Sequence, residues 1–143
     1  MTEAAAARSA GSGVTALEAA AVSVLIVDDS APFRRAAQAV VAATPGFVAV
    51  GEAASGEEAL LVMEDLDPCL VLLDVSMGGI DGIETARRIT ARYSRPTVVL
   101  VSVNDPARLP SEVESCGAAA FLDKRDFSPA RLAALWAAHK PAA

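Results

Sequence analysis

Runs of Val, Leu and Ile without polar alternation, at Val22–Val27, Cys69–Leu73 and Thr97–Val101, read as strands buried on both faces. Val48, Val50 and Glu52 alternate with their neighbours, which suits an edge strand beside the first. Ala118–Leu122 supplies a fifth strand. Between these runs the apolar positions recur at helical spacing. Ser30-Ala31-Pro32 is a helix start, with proline in the first turn where its missing N–H costs nothing. The helix that follows, from about Pro32 to Ala43, places Phe33, Ala36, Ala37, Val40 and Val41 on one face, and Pro45-Gly46 stops it. Ser55 and Glu58 have capping-box spacing before Ala59, Leu60 and Met63, and Asp67-Pro68 ends that second helix. Asp81 and Glu84 repeat the spacing at the head of a third helix running to about Tyr93, broken by Arg95-Pro96.

Pro106 and Pro110 limit the next helix, because a proline in a helix interior costs about 3 kcal/mol. A short helix is therefore expected from Pro110 to Cys116, closed by Gly117. Ser128-Pro129 starts the last helix, which turns Leu132, Leu135 and Trp136 inward. Strand and helix thus alternate throughout. The pattern predicts an α/β, doubly wound parallel sheet with helices on both faces and, with right-handed crossovers, strand order 2-1-3-4-5.

Composition adds bounds. The chain of 143 residues has room for one domain of ordinary size. Its apolar fraction of 53% is inflated by alanine and only 4% is aromatic, so the helices should lie close to the sheet. Residues 1–20 are Ala, Ser and Gly without a sustained period and are expected to form a flexible tail. They lack the basic-then-apolar build of a signal peptide, and no apolar run reaches the roughly 20 residues that span a bilayer. The net charge of -6 argues against a broad nucleic-acid surface. Cys69 and Cys116 are expected as buried free thiols, which fits a reducing compartment and a cytoplasmic protein.

The candidate chemistry lies where the strands end. Asp28 and Asp29 follow the first, Asp74 closes the third, Ser102 ends the fourth and Lys124 stands just past the fifth. In a parallel sheet these ends share one rim, where open α/β sheets bind ligands. Gly78, Gly79 and Asp81-Gly82 force a tight loop directly after Asp74. Each residue alone has an ordinary reading as a loop or surface residue; their joint placement does not. Three carboxylates against one ammonium leave an excess negative charge that a divalent cation removes. Oxygen-only ligands in an open loop favour Mg²⁺, and the set suits phosphoryl transfer with Asp74 as nucleophile.

From about Val22 to Ala138 the chain resembles a receiver domain of a two-component response regulator. The resemblance rests on Val27-Asp28-Asp29, Leu72-Leu73-Asp74-Val75-Ser76-Met77, Asp81-Gly82, Val101-Ser102, Gly117-Ala118 and Phe121-Leu122-Asp123-Lys124. Val50-Gly51-Glu52-Ala53 and Glu57-Glu58-Ala59-Leu60 are similar to the NarL/FixJ class in particular. It implies a flavodoxin-like (βα)5 fold, with the receiver domain over 21–140. By this resemblance Asp74 accepts phosphate from a histidine kinase or phosphotransfer protein. Asp29 binds Mg²⁺ directly and Asp28 largely through water, with the backbone carbonyl of Ser76 as a further ligand. Ser102 and Lys124 hold the phosphoryl oxygens, and Ser102 and Phe121 carry the switch.

The sequence also departs from the family. Gly78 stands where proline is usual, which predicts a looser loop; Pro110 shortens the fourth helix; and Lys140-Pro141-Ala142-Ala143 stand where the NarL/FixJ class continues into a helix-turn-helix. The expected output is therefore a protein effector and not nucleic acid or membrane, through a face flanked by Glu112, Arg125 and Arg131, with the chain a monomer or a phosphorylation-dependent homodimer. The alternative is the receiver portion of a longer DNA-binding regulator. A small aspartyl-phosphate phosphatase is disfavoured because Ser76, two residues after Asp74, offers no second carboxylate. A flavodoxin-like electron carrier is disfavoured because Asp28-Asp29 would repel a flavin phosphate. The expected protein is not an enzyme beyond its own phosphorylation and dephosphorylation.

Overall fold

The three uninterrupted apolar runs occupy the middle of the sheet. A computed structural model describes residues 21–103 and 115–141 and contains a parallel sheet in order β2-β1-β3-β4-β5. Its strands are β1 (Val22–Val27), β2 (Phe47–Ala53), β3 (Leu70–Asp74), β4 (Thr97–Ser102) and β5 (Ala120–Asp123). Every residue of β3 and β4 is buried, as unbroken Val/Leu runs require. The alternating β2 is an edge strand, and its register against β1 slips between Val24 and Leu25 so that Val50 has no partner. The expected tail over 1–20, the helix starting at Pro110 and the position of Glu112 lie outside the described residues.

Among the described residues four α-helices cover the sheet: α1 (Ala31–Ala42), α2 (Gly56–Leu66), α3 (Gly82–Arg92) and α4 (Pro129–His139). Ser30, Ser55, Asp81 and Ser128 cap them, each side chain accepting from the backbone N–H three residues on. Alternate strand residues face opposite layers. Val24, Ile26, Leu70, Leu72, Val99 and Val101 pack with Ala37, Val41, Leu132 and Leu135, whereas Leu25, Val27, Val71 and Leu73 pack with Ala59, Met63, Ile83, Ala86 and Ile89.

Two expectations change. Ala36 is exposed, because the inward stripe of α1 runs through Phe33, Ala37, Val40 and Val41 and leaves Ala36 on its outer side. Of the two cysteines only Cys116 is buried; Cys69 is half-buried, and its sulfur accepts a hydrogen bond from Arg95 Nη2 at 3.3 Å. The Asp67-Pro68 stop works through Asp67, which takes the left-handed conformation (φ 43°) at the end of α2.

Candidate functional site

The carboxyl ends of β1, β3, β4 and β5 bring the predicted polar residues to one rim. Asp74 lies beside Val101 across the β3–β4 ladder, and Ser102 beside Asp123 across β4–β5. The β1 ladder carries on past Val27, because the Asp28 N–H donates to the Ala53 carbonyl at 3.0 Å. Beyond Asp74 the chain turns at once into α3. Gly82 makes this possible: a β-carbon there would sit 2.0 Å from the Asp74 carbonyl oxygen. The Gly82 N–H instead donates to the Val75 carbonyl at 2.8 Å.

Asp28, Asp29 and Asp74 each offer a carboxylate oxygen, and the three lie within 4.8 Å of one another. Lys124 enters this cluster. Its Nζ is 2.6 Å from Asp28 Oδ2 and 3.6 Å from Asp74 Oδ1. Asp28 and Asp74 are buried, at 1% and 6% exposure, and Asp29 faces solvent. Asp28 Oδ1 accepts from the Ser30 N–H at 2.8 Å. Its Oδ2 is buried without an aligned hydrogen bond, so its contact with Lys124 is ionic in character.

Asp74 reflects the crowding. Burial, then the Asp28 charge, raises its carboxyl; Lys124 and the Ser76 N–H oppose this, Asp29 adds to it, and the result is a pKa pushed up from 3.8 to about 6. Metal-free, the cluster therefore holds more negative charge than one ammonium offsets. A hard divalent cation fits these donors: they are all carboxylate oxygens, one side is open at Asp29, and Asp28 Oδ2 has an unused lone pair.

Ser102 is buried at its strand end. The Ser76 N–H faces Asp74 Oδ1 at a long 3.4 Å, with the Ser76 side chain exposed. Phe121 pairs with Leu100 and packs on the layer beneath α2 and α3, outside the carboxylate cluster.

Three supporting residues escaped the reading of the sequence. Phe33, expected only as core, places its ring 4.4 Å from Lys124 Nζ. Arg34 donates from Nη1 to the Asp28 carbonyl at 2.7 Å and from Nε to Glu52 Oε1 at 2.6 Å, bracing the β1–α1 turn. Glu57 Oε2 accepts from the Ile80 N–H at 3.1 Å. Backbone N–H groups, its own first and then that of Ile80, hold the Glu57 carboxyl below its usual range. The loop after Asp74 is thus tethered from α2, although Gly78 lacks the stiffness of proline. Phe33 and Arg34 read locally as one apolar and one surface position of a helix, so only the fold reveals their partners.

Residues 24–136 match the profile of the response regulator receiver domain. The chain belongs to that family. It is a phosphoryl-accepting receiver of the two-component type. It is 38% identical over 103 residues to the response regulator GacA of Pseudomonas protegens, covering 72% of this chain and 48% of that protein. It is 36% identical over 105 residues to a protein-glutamate methylesterase/protein-glutamine glutaminase of Alkalilimnicola ehrlichii, covering 73% of this chain but 27% of the relative. Among solved structures, the signal receiver domain of a response regulator named NarL from Mycobacterium tuberculosis is similar, with TM-score 0.74 and 30% identity, covering 82% of this receiver and 96% of that chain. This receiver therefore spans about half the length of the GacA relative and about a quarter of the methylesterase. No helix among the described residues is long and apolar enough to cross a membrane.

Proposed function

We propose that Asp74 is the phosphoacceptor and that a phosphohistidine on a partner kinase or phosphotransfer protein is the donor. A carboxylate oxygen of Asp74 forms the new O–P bond as the P–N bond breaks, and the electron pair stays with the departing imidazole. The observation that carries this reading is a buried carboxylate at the end of β3 with an ammonium 3.6 Å away, beside two further carboxylates. Asp28, Asp29, Asp74 and the Ser76 carbonyl are the residues that would hold Mg²⁺. The bound ion supplies screening between the incoming phosphoryl group and the carboxylates. Lys124 and Ser102 hold the phosphoryl oxygens.

Acetyl phosphate with Mg²⁺ should add one acid-stable, base-labile phosphoryl group. EDTA, or Asp29→Ala, should abolish its uptake. Full phosphorylation in EDTA would remove the assignment of the metal site.

Switching is proposed to run through Ser102 and Phe121. Phosphorylation adds about -1.5 to -2 charges and offers oxygens to Ser102 and Lys124. Hydrogen bonds to charged groups contribute roughly 1.5–3 kcal/mol each, so two give about 3–6. Moving a population from 1:99 to 99:1 needs about 5.5 kcal/mol, which two such bonds reach and one does not. Ser102→Ala should therefore still phosphorylate but shift only partly. NMR of Phe121 with beryllofluoride checks this, and a complete shift in the variant contradicts it.

The output we propose is contact with a protein effector through β5, α4 and the flanking Arg125 and Arg131, without enzymatic action on other substrates. The chain would act as a monomer or a phosphorylation-dependent homodimer within the cytoplasm. A second reading is the receiver portion of a longer DNA-binding regulator; the GacA relative, of which 48% is covered, is itself a response regulator.

A further inference from the structure

Lys124 lies in a single 3₁₀ turn, Lys124–Asp126, immediately after β5. A lysine there has a flexible four-carbon stem and an ammonium that water hydrates strongly. Its ammonium is nevertheless bounded on three sides: Asp28 Oδ2 at 2.6 Å, Asp74 Oδ1 at 3.6 Å and the Phe33 ring face at 4.4 Å from its centroid. The ring is itself held in place. Phe127 packs against it with centroids 6.1 Å apart, and the Phe127 N–H returns to the Lys124 carbonyl at 3.4 Å. On the other side, the Phe33 N–H donates to the Ser30 cap at 3.2 Å, and Ser30 donates to Asp28 Oδ1 at 2.8 Å. The contacts close a circuit from Asp28 through Ser30, Phe33 and Lys124 back to Asp28.

We propose that Phe33 is a positioning residue for phosphotransfer, its ring face keeping the Lys124 ammonium inside the acidic pocket. The inference rests on Asp74 as acceptor. To meet a phosphoryl oxygen on Asp74, Lys124 must leave Asp28 without leaving the pocket. A carboxylate holds an ammonium at a point, whereas the negative face of an aromatic ring attracts it over a broad area. The ring therefore retains Lys124 while its anionic partner changes. Leucine would fill much of the same space without that attraction.

The chain has only two lysines, Lys124 and the exposed Lys140, so amine labelling has an internal reference. Metal-free protein would be treated with a succinimidyl ester, and the Lys124:Lys140 labelling ratio read by mass spectrometry. Phosphorylation rates would be taken separately with acetyl phosphate and Mg²⁺, and circular dichroism would confirm folding. Phe33→Leu should raise the ratio and slow phosphorylation, each by roughly 2- to 30-fold, the range a cation–π contact supplies. Phe33→Tyr keeps the ring and should stay within about twofold of the parent in both. Equal labelling ratios in the Leu and Tyr variants would overturn the proposal. Failure of Asp74 as acceptor is distinguishable, because phosphorylation would then persist in Asp74→Asn while the metal-free labelling ratio still reports on Phe33.

Discussion

Asp74→Asn is expected to take up no phosphoryl group and, in EDTA near pH 7.5, to be more stable than the parent by about 3 kcal/mol. The loss follows from the proposed chemistry, since an amide lacks the carboxylate oxygen assigned there as nucleophile. The gain follows from crowding. Burial and the Asp28 charge push the Asp74 carboxyl up to about 6 from 3.8, so the ionised form strains the fold at neutral pH. The folded state then binds the proton more tightly than the unfolded chain. Its contribution to stability is fully present below about pH 3.8 and is lost as pH rises through about 6. The parent's urea midpoint should therefore rise between pH 7.5 and pH 5, and that of Asp74→Asn should rise much less. Glu57, Glu84 and Asp123, whose carboxyls are held below their usual range, lose stability only at lower pH and leave this window clear. Mass spectrometry after acetyl phosphate treatment reads the first half. Undiminished uptake by the variant would end the assignment of Asp74, and equal midpoint shifts would end the account of its crowding.

These opposite effects on activity and stability have one cause. The fold holds three carboxylates close together with one ammonium between them, a crowding that the proposed chemistry uses and that stability bears. The arrangement was legible in sequence because each member ends a strand, and parallel strands put their carboxyl ends on one rim. Asp28, Asp29, Asp74, Ser102 and Lys124 needed no knowledge of helix packing to be grouped. The supporting residues did. Phe33 meets Lys124 only because α1 and the turn after β5 lie on the same side of the sheet, and no local pattern shows that. Glu57 reaches Ile80 because α2 packs beside the start of α3; in sequence it is one more acid in a first helical turn. The strands themselves were legible from unbroken Val/Leu runs, but the slip at Val50 was not, since edge strands have only one partner to fix their register. Ala36 was misplaced because alanine carries little burial signal: on a helix this rich in alanine the inward stripe is set by Phe33, Val40 and Val41.

Lys124→Met should destabilise the metal-free protein by about 3–5 kcal/mol at pH 7.5, the cost of breaking a buried ion pair from one side. Methionine is an apt replacement because it keeps an unbranched stem against Phe33 and removes only the charge. What remains is Asp28 Oδ2, buried without a hydrogen bond, within reach of Asp74 and Asp29 and now without the ammonium at 2.6 Å. Two independent treatments should then shrink the deficit. Millimolar Mg²⁺ replaces the missing positive charge, and a cation that binds only the folded state stabilises it by mass action. Lowering the pH to 5 removes negative charge through Asp74, the member already raised to about 6. Phosphorylation should remain measurable but slow, since the proposed acceptor stays in place and the variant lacks the ammonium proposed to meet the phosphoryl oxygens. Urea unfolding with EDTA, with Mg²⁺ and at the two pH values separates these terms. If Lys124→Met matched the parent in EDTA at pH 7.5, Lys124 would be no internal counter-ion. A deficit that persisted unchanged in Mg²⁺ and at pH 5 would instead place the loss in side-chain packing, not in charge.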